Sequence, residues 1–142
     1  YSVGEYLRRL QQGLETIADG LHLQRAERPG RRGVWTRGGQ AMFMAAAVKN
    51  WVSYFGAYLQ VDPDQRWLHG VATDPTEGSE SVSLAAVLRR PVRMTTVRQL
   101  AATSLSTALG CERYHLFTGH PLLPRTMVPP SDSSSKDEAR AG

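Results

Sequence analysis

A chain of 142 residues, 41% of them hydrophobic, can bury one core and falls in the usual size range of a single domain. Its one cysteine, Cys111, excludes an internal disulfide and favours an intracellular reducing compartment or an organelle matrix, and no apolar run approaches the about twenty residues that a membrane-spanning helix needs, so no membrane partner is expected. The formal charge of +4 is segregated: residues 1 to 60 and 89 to 142 each carry eight basic and four acidic side chains, whereas residues 61 to 88 carry one basic and five acidic. Two basic segments thus flank an acidic island, and fifteen of the seventeen cations are arginines.

The first residue is tyrosine, which reads as a start left by trimming, organellar processing or release from a polyprotein. From there residues 3 to 23 predict an amphipathic helix, because Leu7, Leu10, Leu14, Ile17, Ala18 and Leu21 recur at three- and four-residue steps. Ser2 and Glu5 have the spacing of a capping box at its start. Gly20, Pro29, Gly30, Gly33, Gly38 and Gly39 then break regular structure, with Val34 and Trp35 as a short strand among them. On this loop sit Arg25, Arg28, Arg31, Arg32 and Arg37, opposed only by Glu27. Arginine presents a planar, permanently charged fork of donors suited to phosphates and carboxylates, and Trp35 among the arginines offers a flat ring on which an unstacked base could lie.

Residues 40 to 60 are almost continuously apolar. Val48, Trp51, Val52, Phe55, Tyr58 and Leu59 fit helical spacing, which is the favoured reading; a strand pair turning at Lys49 and Asn50 is the alternative. In either case the segment from Met42 to Leu59 is expected to supply core or subunit contact, so that truncating Trp51 or Phe55 would cost about 3 to 5 kcal/mol if the ring is fully buried.

Residues 66 to 73 and 81 to 88 predict two strands, the second from the alternation of Val82, Leu84, Ala86 and Leu88. A second group of cations, Arg89, Arg90, Arg93 and Arg98, follows. Val97 to Leu109 predicts a helix, with Thr96 and Gln99 at capping-box spacing and Gly110 at its end, packed on the sheet. Too few residues separate Gly110 from Pro121 for the second helix of a helix-turn-helix. Residues 114 to 117 suggest an edge strand, and residues 131 to 142, with only alanine as apolar content, a disordered tail after one globular domain of residues 1 to 130.

No residue pattern marks a catalytic site. His115 and His120 near Cys111 do not make a ligand set of three or four, so no metal is expected, and no cofactor fingerprint is present. Asp62, Asp64, Asp74, Glu77 and Glu80 stand at turns and beside prolines, where carboxylates cap and solvate. The expected fold is therefore α+β, a small antiparallel sheet packed with about three helices. The expected function is non-catalytic binding of RNA or single-stranded DNA through Arg25, Arg28, Arg31, Arg32, Trp35, Arg37, Arg89, Arg90, Arg93 and Arg98. The alternative is a structural or adaptor subunit, a homo-oligomer or part of a protein assembly, using the aromatic segment of residues 42 to 59.

Overall fold

A computed structural model describes residues 2–64, 66, 81–111, 113 and 114. The strand predicted over residues 66 to 73, the edge strand at 114 to 117, His115, His120 and the tail of residues 131 to 142 lie wholly or largely outside these residues.

Helix α1, Val3–Gly20, begins where the sequence places it: Ser2 Oγ accepts a hydrogen bond from Glu5 N at 3.1 Å. A side-chain cap of this kind is worth about 1 kcal/mol. Leu10, Leu14, Ile17 and Ala18 form its buried stripe. The helix stops because His22 turns left-handed (φ 58°), allowing Leu23 N to donate back to Ala18 O at 2.9 Å.

Three antiparallel strands follow in the order β1 (Val34–Thr36), β2 (Gly39–Lys49) and β3 (Val52–Leu59). A two-residue turn at Arg37 and Gly38 joins β1 to β2, and Thr36 Oγ1 locks it by donating to Gly39 O at 3.0 Å. Residues 40 to 60 are thus a hairpin, not the favoured helix. Its register runs without a break from Met42 opposite Leu59 to Lys49 opposite Val52. Met42 is fully buried, and Met44, Ala57 and Leu59, partly buried, pack against the same core. The β-branched and aromatic side chains that also satisfied a helical period suit a half-buried sheet better.

The hairpin turn carries left-handed φ at both central residues, 51° at Asn50 and 61° at Trp51, as a two-residue turn of the primed type requires. Asparagine tolerates that region; tryptophan does not. The Trp51 side chain gains little in return, since the residue is 83% exposed. Trp51 is therefore not part of this chain's core, and Trp51→Gly should stabilise the protein by about 1 kcal/mol in a urea titration, by relieving backbone strain without emptying any cavity.

The segment expected as a strand at 81 to 88 is instead a single parallel bridge between Ser81 and Gln40 followed by a short helix α2, Leu84–Leu88. Ser83 decides this: its Oγ accepts from Ala86 N at 3.1 Å, which starts a helix and drives Leu84 into the core, where it is fully buried. Helix α3, Met94–Leu109, ends on Gly110 at φ 69°, as predicted, but begins at Arg93 with no side-chain cap in place of the Thr96 and Gln99 pair.

Helix α3 packs chiefly on α1 and not on the sheet. Two glycines explain how closely. A Cβ at Gly13 would lie 2.7 Å from Leu105 Cδ2, and one at Gly20 would lie 3.0 Å from Leu100 Cδ2. Glycine inside a helix costs up to about 1 kcal/mol relative to alanine, and here it lets the leucines of α3 reach the α1 backbone. The architecture is α+β, with α1 lying between α3 and the sheet and Leu14, Ile17, Val34, Met42 and Leu84 at the centre of the core.

The start of α1 is also tied to the end of α3. Arg9 Nε donates to Glu5 Oε1 at 2.7 Å while its Nη1 donates to Ala108 O at 3.3 Å, and Arg8 makes a second, bidentate pair with Glu5. Hydrogen bonds from Arg8 and then Arg9 hold the Glu5 carboxyl well below its ordinary range, at about 2. A carboxylate whose pKa is depressed by folding contributes stability above its unfolded value and loses it as pH falls through the folded one. The contribution of Glu5 should therefore be complete above about pH 4.5 and fade towards pH 2. In Glu5→Gln the acid-side slope of stability between those values should flatten in an acid titration followed by circular dichroism.

Candidate functional site

The arginine loop is fastened to α1 by one side chain that the sequence does not advertise. Gln11 Oε1 accepts from Gly33 N at 2.8 Å and Gln11 Nε2 donates to Gly33 O at 2.9 Å, so both polar groups of one peptide position are satisfied by a single amide. Its only sequence signal is a polar residue between Leu10 and Leu14, on the edge of the buried stripe. Gly33 itself is left-handed at φ 88° and lies against the Met42 carbonyl.

Two cavities border this loop. The first, about 610 Å³, opens between α1 and the loop and is lined by Glu15, Arg25, Glu27, Arg28, Arg31 and Trp35 among others. Of its arginines, Arg25 pairs with Glu15 in the cavity wall at 3.5 Å and with Asp19 at 3.3 Å, both on α1 and not on the acidic island. Trp35 is 8% exposed, its Nε1 donates to Arg32 O at 3.1 Å, and the Arg31 guanidinium lies 5.1 Å from the ring centroid. The ring closes the core edge and carries an arginine where a base was expected to stack.

The second cavity, about 570 Å³, lies beyond the β1–β2 turn, between the end of α1 and α2. It brings together Arg37 from the first arginine group and Arg89 from the second, with His22 beside them and Val82, Val87 and Leu88 forming an apolar wall. Of the other predicted residues, Arg28 lines the first cavity, Arg32 is exposed on the loop, Arg90 follows α2, Arg93 precedes α3, and Arg98 is exposed on α3. The ten residues are distributed over the loop after α1, β1, the β1–β2 turn, the end of α2 and the start of α3.

Cys111 and Lys49, the described thiol and amine, stand on separate elements. Cys111 is exposed beyond the end of α3, Lys49 is exposed at the β2–β3 turn, and the Ser83 and Thr36 hydroxyls are committed to backbone hydrogen bonds. Of the acidic island, Asp64 is held in a bidentate pair with Arg66, 2.6 Å at its shortest, which lowers the Asp64 pKa.

The lipoyl protein ligase A/B catalytic domain family matches residues 1–112, which spans nearly every described element of the fold, and the chain belongs to that family. Particular relatives sharpen the placement. The chain is 31% identical over 97 residues to an octanoyltransferase of Geobacter metallireducens, covering 68% of this chain and 46% of that protein. It is 30% identical over 105 residues to the octanoyltransferase of Citrifermentans bemidjiense, covering 74% and 52%. A third octanoyltransferase, from Geobacter sp. strain M21, is 41% identical over 59 residues, 42% of this chain and 29% of that protein. The chain thus spans about half the length of the first two relatives.

These relationships overturn the expectation of a non-catalytic protein that binds RNA or single-stranded DNA, and with it the adaptor alternative and nucleic acid as the partner. The physical reason is that guanidinium groups recognise any anion. Their clustering specifies charge and planarity, not whether the charge belongs to a polynucleotide, a carboxylate or a protein surface.

Proposed function

We propose that this chain forms part of a catalytic domain that transfers octanoyl or lipoyl groups to a protein acceptor. The observation that carries this reading is the extent of the family match, residues 1–112, which takes in α1, the hairpin, α2 and α3 together. Transfer breaks the bond between the acyl carbonyl carbon and the donor heteroatom and forms one to the acceptor. The proton released by the acceptor passes to the leaving donor. A site for that chemistry needs an apolar wall for the chain, fixed donors for developing negative charge, and a surface on which the protein substrate can settle. The cavity between the β1–β2 turn and α2 offers the first in Val82, Val87 and Leu88, and cationic donors in Arg37 and Arg89.

The exposed Arg28 and Arg32 on the loop suit the third requirement, an acidic protein surface. Opposite charge across an interface acts chiefly on the encounter rate and is weakened by salt. Reversing both charges, Arg28→Glu with Arg32→Glu, should therefore raise the KM for an acidic acceptor protein about tenfold at low salt. The same change should leave the rate with a small amine acceptor unaltered, and transfer assays at two ionic strengths check this. The reading as a whole is tested by incubating the protein with an octanoyl thioester and an acceptor protein and weighing both proteins by mass spectrometry. Appearance of one octanoyl group on the acceptor is expected, and its absence in conditions where a full-length octanoyltransferase acylates the same acceptor contradicts it.

A further inference from the structure

At the tip of the β2–β3 hairpin a strained backbone holds a large apolar side chain in water. Asn50 and Trp51 are both left-handed, at φ 51° and 61°, and a glycine at the second position would make the same turn without strain. Trp51 is 83% exposed, so packing within its own chain returns little. Strain that persists without a packing gain points to a functional side chain.

Beside the ring lies a recess of the kind it lacks. Trp51, Val48 and Ser53 of the hairpin and Ser2, Val3 and Tyr6 at the start of α1 line a cavity of about 210 Å³. That is below the about 300 to 1,000 Å³ of ordinary small-molecule pockets and on the scale of one large side chain. None of these six residues carries a charge, in contrast to the arginines that line the other two cavities. Val3, Val48, Val52 and Tyr54 are exposed around the tip, so ring and cavity share one apolar patch.

An unseated ring next to an unfilled cavity is self-complementary. A two-fold axis through such a patch sets the ring of each copy in the cavity of the other, because an isologous interface makes every contact twice. We propose that the chain forms a symmetric dimer through this tip, with Trp51 of each copy seated against Val3, Tyr6 and Val48 of the second. Between Val48 and Tyr54 the one charge is Lys49, which suits a second copy better than a charged partner. Its stem covers apolar surface at the rim while the ammonium stays in water. The eleven residues of β2 separate this tip from the β1–β2 turn, about 35 Å at strand spacing. Dimerisation therefore leaves the cavity at Arg37 and Arg89 open, and the dimer does not depend on the acyl-transfer reading.

Sedimentation velocity from about 1 μM to about 1 mM reads the association, which should be half complete near about 50 μM for so small an interface. Raising the salt should leave it unchanged or tighten it, since the contact is apolar and the two Lys49 charges are screened. Trp51→Gly should stay monomeric throughout, and its melting temperature should lose the dependence on protein concentration that the wild type shows. Val3→Trp fills the cavity while leaving Trp51 in place, and should weaken the dimer about tenfold. Mixing the two variants is decisive. One keeps an open cavity and the other a free ring, so together they should form a heterodimer tighter than either forms alone, which a folding defect in either would not give. A wild type that stays monomeric at about 1 mM, a dimer undiminished in Trp51→Gly, or variants that fail to complement each other would overturn the proposal. So would a monomer whose tryptophan emission shifts, in the wild type and not in Trp51→Gly, only on adding phosphatidylglycerol vesicles or an acceptor protein, since the tip would then belong to that surface.

Discussion

Gly33→Ala is expected to destabilise the protein by about 3 kcal/mol or more, a substantial share of the stability of a small domain. The position is left-handed at φ 88°, and a Cβ there would press on the Met42 carbonyl, with Gln40 Nε2 at 2.7 Å as its next neighbour. Neither can withdraw cheaply. Met42 is fully buried and paired with both Val34 and Leu59, so moving its carbonyl disturbs the central strand on both sides. The Gly33 peptide is meanwhile clamped by the Gln11 amide at 2.8 and 2.9 Å, which opposes any outward shift of the loop. A urea midpoint unchanged from wild type would show that this loop is not built on the β2 backbone as described.

Leu14→Ala should cost about 2 to 5 kcal/mol, the range for emptying a leucine-sized site in a packed core. Leu14 is fully buried on α1, the helix that meets the sheet on one side and α3 on the other, so the layers cannot collapse into the vacancy without losing contact elsewhere. Calorimetry reads the effect directly. The contrast with Trp51 is instructive: the larger side chain sits 83% exposed and its replacement by glycine is expected to stabilise.

That contrast shows which parts of the fold the sequence discloses. Helix α1 was legible because capping and apolar spacing agree, Ser2 with Glu5 at its start and Leu10, Leu14 and Ile17 along its stripe. The end of α3 was legible for a similar reason, since Gly110 does there what glycine usually does. The hairpin was obscured because Lys49, Asn50, Trp51 and Val52 contain no glycine, and the tryptophan sits in a conformation its type disfavours. In α2, five residues are too few for any period to show, and the decision rests on the local hydrogen bond from Ala86 to Ser83. Of the two arginine groups, Arg37 and Arg89 line one cavity. The residues that shape that groove, His22 with its left-handed backbone and the apolar wall of α2, carry no pattern that marks them in a linear reading. Charge alone also could not distinguish an acyl-transfer family from a nucleic-acid binder, because both need cations on a small surface.

The central claim is that a domain of this family handles acyl groups, and single-turnover octanoyl transfer tests it most directly. The protein is mixed with an octanoyl thioester and an acceptor protein, and the masses of both proteins are followed with time. The account predicts that the acceptor gains one octanoyl group at a rate that depends on this protein's concentration. An acceptor that stays unmodified, while a full-length octanoyltransferase modifies it under the same conditions, would contradict the account.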